Sequence, residues 1–195
     1  MAKSTVGLWL KNVQLTKEQK ERLYNNNGFV NPLFGNRCMQ QKYLEVRKKS
    51  QMIGRKKMKQ RNPDYVAGCM LYWAEGTKNR TSVAFTNCDV NMHKVFIGFL
   101  LEQCNVKKEN IRMFINCYLD NGLTLLDIEN YWLKELDLPK TCLTKATIKN
   151  NISKAKNKWI YGVCRITVHD VCLMQEIYGA IQEYAGFDCS EWLLK

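Results

Sequence analysis

The chain has 195 residues, 46% of them hydrophobic, which suits one main domain with a buried core and an extension beside it. With a formal charge of +12 and an isoelectric point near 9.3, its Lys and Arg repel one another unless a polyanion neutralises them, so nucleic acid ranks first among partners. The longest apolar runs, Tyr65 to Ala74 and Val95 to Leu101, fall far short of the roughly 20 residues of a membrane span. Val6 to Leu10 is too short for the core of a secretory signal, so the expected location is the cytoplasm, with no membrane partner.

Residues 3–11, Lys-Ser-Thr-Val-Gly-Leu-Trp-Leu-Lys, look like the last helix of a helix-turn-helix, with Ser4 and Thr5 opening it and Trp9 as its core plug. One short helix cannot bury its own apolar face, so the reading is a remnant of such a module or an arm packed elsewhere. A frayed terminal helix without a DNA role fits the same residues. Thr16 with Gln19 has capping-box spacing and predicts a short helix to Tyr24, and Pro32 and Gly35 predict irregular chain after it.

From Arg37 to Arg61 ten Lys and Arg stand against one acid, Glu45, in a background of good helix formers. A basic helix interrupted near Gly54 is predicted, with Arg47, Lys48, Lys49, Arg55, Lys56 and Lys57 along nucleic-acid phosphates, where they supply affinity rather than sequence choice. The alternative is a solvated tether. Residues 1–62 thus form a basic, mostly helical extension, and residues 63–195 the main domain.

Val66-Ala67-Gly68-Cys69-Met70-Leu71-Tyr72-Trp73-Ala74-Glu75-Gly76-Thr77-Lys78 is apolar for nine residues and then closes on a carboxylate, a glycine and a lysine. Asp64 is the expected N-cap, the helix is expected to start near Tyr65, and Gly76 is expected to stop it in the left-handed conformation. Ala67, Gly68 and Ala74 are small enough to let another backbone approach, and Gly68, Leu71 and Glu75 share one side at helical spacing.

Beyond this helix, strands and helices alternate. Ser82–Thr86 suits a strand, and Asp89 caps a predicted helix to about Cys104 with Met92, Val95, Phe96, Phe99 and Leu100 on its apolar face. Ile111–Tyr118 alternates Ile, Met, Ile and Cys with Arg, Phe, Asn and Tyr, a strand with two unlike faces. Thr124 with Asp127 opens a helix whose buried stripe is Leu125, Ile128, Trp132 and Leu136. Thr141–Lys149 and Trp159–His169 read as two strands of a possible hairpin, with Lys154, Lys156 and Lys158 at its tip; an ordinary polar hairpin is the plainer alternative. Asp170 caps a last long helix that Gly186 ends.

The nine cysteines, at 38, 69, 88, 104, 117, 142, 164, 172 and 189, lack the paired spacing of a structural zinc site, which predicts reduced thiols serving as small hydrophobes. His93 and His169 lack the partners of a histidine-metal nuclease, and Pro63-Asp64 with Glu75 and Lys78 has the wrong spacing for the PD-(D/E)xK nuclease core.

The stretch from Val66 to Lys78 resembles the motif helix of LAGLIDADG homing endonucleases, above all the bacterial and phage single-motif group reading GCMLYWAEG(S/T)K. Further matches are Phe85-Thr86-Asn87-Cys88-Asp89, Tyr131-Trp132, Tyr161-Gly162-Val163-Cys164 and Gln175 to Phe187, so the resemblance covers about residues 64–192. Tyr72 and Trp73 just before the acid depart from the superfamily's usual pattern. The resemblance implies an α+β fold: a mixed αβ domain with a four-stranded, mainly antiparallel saddle sheet backed by helices. It implies a homodimer in which motif helices pack through Ala67, Gly68, Leu71 and Ala74, with Glu75 of each chain holding Mg2+ over double-stranded DNA. Lys78 would offset charge at the scissile phosphate, and Lys145, Thr147, Lys149 and Arg165 would face DNA from the sheet. A nucleoid-associated bacterial or phage protein is implied. The alternative is a DNA-binding regulator on the same fold without cleavage; RNA ranks below DNA as a partner.

Overall fold

The alternation along Ile111–Cys117 builds the centre of the fold. In a computed structural model, which describes residues 13–26, 32–79, 81–119, 122–149 and 159–194, that stretch is a strand whose odd-numbered residues are buried and whose even-numbered ones are not. Residues 1–43 and residues 44–195 form two compact units.

In the first unit, α1 (Lys17–Asn26) opens on the expected capping box: Thr16 Oγ1 accepts from Gln19 N–H at 3.3 Å, and Gln19 Oε1 accepts from Thr16 N–H at 3.0 Å. The next helix, α2 (Pro32–Lys59), corrects two expectations. Pro32 begins it instead of breaking the chain, since the first helical position needs no amide donor. Gly54 does not interrupt it either. Residues 3–11 lie outside the described residues.

The second unit holds α3 (Pro63–Glu75), β1 (Gly76–Thr77), β2 (Val83–Asn87), α4 (Val90–Gly98) continued by a π-helical turn (Phe99–Gln103), and β3 (Ile111–Cys117). It continues with α5 (Leu125–Glu135), β4 (Thr147–Ile148), β5 (Val163–Val168), α6 (Val171–Ala185) and α7 (Ser190–Leu194). Among the described residues the class is therefore α+β, with seven α-helices in all and, in the second unit, a mixed, open, five-stranded sheet. The caps read from the sequence are in place: Asp89 accepts from Asn91, Thr124 and Asp127 close a capping box, Asp170 accepts from Leu173, and Gly186 ends α6 at φ 71°.

The sheet order is β1-β2-β5-β3-β4, antiparallel except for β4 beside β3. Two expectations fail here. Five strands are present, not four, because the chain leaves α3 directly into β1. The hairpin of Thr141–Lys149 with Trp159–His169 does not form, because β3 lies between β4 and β5. The chain from β3 through α5 to β4 is a crossover by way of a helix, which returns a strand parallel to its start. Thr144 N–H and Lys149 N–H donate to Met113 O (2.8 Å) and Cys117 O (2.9 Å). Sequence periodicity carries no information on which strands are neighbours.

One face of the sheet, with Phe85, Met113, Ile115, Cys164 and Ile166, is fully buried against helix residues including Phe96, Leu100, Trp132, Met174 and Ile177. Val95, expected on the apolar face of α4, is 52% exposed; His93 takes an inward position instead, ring edge-on to Phe85 and Trp132. Leaving Cys38 aside, the eight cysteines are free, and burial pushes the Cys69 and Cys164 thiols up and that of Cys104 up to about 12, which leaves these three inert. No described helix is long and apolar enough to cross a membrane.

The second half of α2 is part of this fold. A Cβ on Gly54 would lie 1.8 Å from the Glu176 carbonyl oxygen, and one on Gly179 2.1 Å from that of Gln51, so α2 and α6 meet backbone to backbone. Between them runs a ladder of buried amides: Gln51 Nε2 donates to Gln175 Oε1 (2.7 Å), Gln182 Nε2 to Gln51 Oε1 (3.4 Å), and Gln175 Nε2 to Trp192 O (2.8 Å).

Candidate nucleic-acid interface

Asn62, not Asp64, caps α3: its side chain accepts from the amides of Asp64 and Tyr65, and Pro63 takes the first helical position. Asn62 precedes a proline that fixes the first turn, a local signal stronger than the acid one residue later. At the other end Gly76 is extended (φ −74°, ψ 147°), not left-handed. Its small size is needed for another reason: a Cβ there would lie 2.3 Å from the Tyr72 ring, over which the chain turns straight into β1. Tyr72 OH in turn donates to Thr77 O at 2.7 Å.

The inward side of α3 is Tyr65, Gly68, Cys69 and Tyr72. Gly68, expected on the dimer face, is taken up within the chain, since a Cβ there would lie 2.0 Å from Phe99 Cγ. Ala67 and Ala74 are exposed and Leu71 half-buried, so these three remain on the outer side. Glu75 is exposed at the last helical position. Gly76 pairs with Phe85 and Thr77 with Ala84, so the ladder begins one residue after Glu75, while on the next strand Thr86 pairs with Arg165. Lys78 turns back: its Nζ donates to Trp73 O (2.6 Å), Gly76 O (2.7 Å) and Tyr72 O (3.2 Å), neutralising the carbonyl end of the helix. Burial lowers its pKa, with nearby Glu75 opposing.

The other expected basic residues divide into two sets. Lys48, Lys49 and Lys56 on α2, and Lys145, Thr147 and Lys149 at β4, are exposed. Arg55 meets Gln182, Glu183 and Asp188, and Lys57 bonds Glu176 (2.8 Å) and Gln103 O (3.2 Å); Arg47 donates to Leu193 O (3.1 Å). Lys154, Lys156 and Lys158 lie outside the described residues.

The second face of the sheet carries Thr86, Arg112, Phe114, Asn116, Arg165 and Thr167. Phe114 pairs with Arg165 and Arg112 with Thr167, and a concavity of about 390 Å³ lies over them, also lined by Asn79, Ser82, Thr144 and His169. A second, of about 360 Å³, adjoins it through the shared Arg112 and His169 and reaches Asn105 and Asn110. Arg165 Nε is buried without a hydrogen-bond partner among the described residues. Arg112 and Phe114 were not singled out from the sequence, although the alternation along β3 sets them on the polar face with Asn116. Among the described residues no three His, Cys, Asp or Glu side chains converge. Comparison with family models, curated proteins and solved structures returns no match.

Proposed function

We propose that the chain binds double-stranded DNA on the polar sheet face and, as a homodimer, cuts it by magnesium-assisted phosphodiester hydrolysis, in the manner of the homing endonucleases that residues 64–192 resemble. In this reading the twisted sheet is the DNA-binding saddle, and the outer side of α3, with Ala67, Leu71 and Ala74, meets its counterpart in a second copy. One observation carries the proposal: α3 ends in an exposed carboxylate and runs without a loop into the edge strand of a sheet whose polar face bears Arg112 and Arg165.

The exposed Lys48, Lys49, Lys56, Lys145 and Lys149 are free to follow the phosphates. Glu75 is the residue that would hold magnesium, which takes one or two carboxylates and keeps waters; one exposed acid per copy fits that demand. Such an ion supplies polarisation of a phosphate and a lowered pKa for an attacking water. Glu75 contributes charge at the sheet edge, and Arg165 a cation on the polar face of the sheet. Lys78 acts in this reading by holding the end of α3 in place.

A second reading, binding without cleavage, is favoured by Lys78 being committed to three backbone carbonyls. Incubation of Glu75→Gln and the parent chain with a randomised duplex library, with and without Mg2+, tests the proposal. Retained and cut duplexes with the parent chain, and retention without cuts for Glu75→Gln, are expected. Retention without cuts by both selects the second reading, and no retention at low salt ends both.

A further inference from the structure

The polar sheet face holds a feature that duplex binding does not need. Phe114 stands in the middle of β3 between Arg112 and Asn116, half-buried on the face that also carries Ala84, Thr86, Val163, Arg165 and Thr167. Across the ladder its partner is Arg165, and in antiparallel strands directly opposed side chains are about 5 Å apart at Cβ. An apolar ring on the solvent side of a sheet that has its own filled core on the other face contributes nothing to that core. Its surroundings are largely polar: Arg112 and Arg165, with Asn79, Ser82, Thr167 and His169, line the same concavity beside Ala84 and Thr144, whose hydroxyl donates to Met113 O.

We infer that Phe114 is a stacking platform for one unpaired nucleobase, with the adjoining phosphate on Arg165 and Arg112. The inference rests on the nucleic-acid reading above and narrows it to an unpaired nucleotide of a DNA or RNA strand. The chemistry is that of single-strand recognition in general, in which an aromatic ring takes the flat face of a base while neighbouring cations take the backbone. A base inside a duplex has both faces covered by its neighbours, so only a strand end, a melted step or an extruded base reaches the ring. The size agrees. A concavity of about 390 Å³ is at the small end of the roughly 300–1,000 Å³ range of small-ligand sites, room for one nucleotide and not for a helix. Arg165 lines the same concavity, and its Nε has no hydrogen-bond partner among the described residues, so its guanidinium is not committed through that atom. Arg112 keeps its position by donating Nη1 to the carbonyls of Glu109 (2.6 Å) and Ile111 (2.9 Å).

The test compares three labelled probes by fluorescence anisotropy: a mixed-sequence 12-nucleotide DNA strand, its RNA equivalent, and the 12-base-pair duplex. Phe114→Leu keeps volume and apolarity but removes the ring. It is expected to weaken binding of the DNA or RNA strand by roughly tenfold, the scale of one lost stack, and to shift the single-strand to duplex preference by nearly as much. The strand with the larger loss identifies the natural source. Equal losses on strand and duplex, or no loss on either strand, overturn the inference, and duplex binding by the parent chain keeps the proposed function standing. Failure of the parent chain to bind any probe at low salt removes the inference and the function beneath it together. A readout that does not depend on variant folding is photocrosslinking of a 5-bromouracil strand to the parent chain. A crosslinked peptide containing Phe114 is expected, and crosslinks confined to residues 44–61 overturn the platform.

Discussion

Gly68 and Phe99 are in such close contact that a methyl group on Gly68 Cα would lie 2.0 Å from the ring's Cγ and 2.5 Å from Phe99 Cβ. The atoms it would strike are at the root of the side chain, so Phe99 cannot simply swing its far end away. The small residue that suggested a helix–helix interface between copies is used to seat α3 against the π-helical turn of its own chain. Overpacking at such a point costs about 1–3 kcal/mol. Gly68→Ala is expected to lower the urea midpoint by the same amount at every protein concentration. A shift that shrinks on dilution, as the parent chain also becomes monomeric, would instead mean that Gly68 meets a second copy.

The same reasoning applies to α2 and α6 with a harder obstacle, since a Cβ on Gly54 would lie 1.8 Å from a backbone oxygen of Glu176. Gly54→Ala must separate the two helices and strand the amides of Gln51, Gln175 and Gln182. An unpaired buried polar group costs about 1–3 kcal/mol, so Gln51→Ala alone is expected to destabilise by that much, and Gly54→Ala by more. Urea titrations check both. A Gly54→Ala chain as stable as the parent would refute the close approach.

These contacts show how far the sequence reaches. The caps at Asp89, Thr124 and Asp170 and the two faces of β3 were legible because each depends on residues within four positions of one another. Strand order beyond the β1–β2 pair, the parallel seat of β4 and the burial of Gly68 and Gly54 depend on partners more than 25 residues away, and one glycine looks like another until its neighbour is known. In the site, the exposure of Glu75 was legible from its place after an apolar run. The division of the basic residues was not: Arg55 and Lys57 read like Lys56, yet they face the acids Glu183, Asp188 and Glu176 across α6.

That division predicts two kinds of charge variant. If α2 meets phosphates, replacing exposed Lys48, Lys49 and Lys56 together by Gln lowers the slope of log affinity against log salt by up to about 2.7, at about 0.9 per phosphate contact, and leaves thermal stability within about 0.5 kcal/mol. Arg55→Gln and Lys57→Gln are expected to change stability and leave the slope nearly unaltered. Binding titrations at four salt concentrations beside melting curves separate the two, and a slope unmoved by the triple variant would take α2 out of the interface.

His93 predicts an acid limb of stability. It is fully buried, its Nε2 lies 3.1 Å from Asn87 O, and its Nδ1 has no partner among the described residues. Burial is the main cause holding its pKa below the ordinary value, with hydrogen bonding to the Asn87 backbone opposing. The unfolded chain therefore binds a proton near pH 6.5 that the folded chain refuses. Its contribution is complete above that pH and is lost as pH falls from about 6.5 toward the folded pKa, at up to about 1.4 kcal/mol per unit. His93→Gln is expected to be less stable at pH 8 and to show a shallower decline between pH 6.5 and 5. An unchanged decline would place the titrating group elsewhere.

Lys78 and Glu75 separate structural from chemical roles at the end of α3. Lys78 Nζ meets three carbonyls and lies 5.6 Å from the Tyr72 ring centre, so Lys78→Met removes the cation from the helix terminus and loosens the turn into β1. A cation at a helix C-terminus contributes about 0.3–1 kcal/mol, which sets the expected loss of stability. Glu75 is exposed, and Glu75→Gln is expected to leave stability within about 0.5 kcal/mol while removing Mg2+-dependent nicking. If Lys78 only holds the turn, Lys78→Arg restores stability and nicking together, because a guanidinium can also donate to those carbonyls. Nicking lost in Lys78→Arg at parental stability would instead give the ammonium a part in the chemistry.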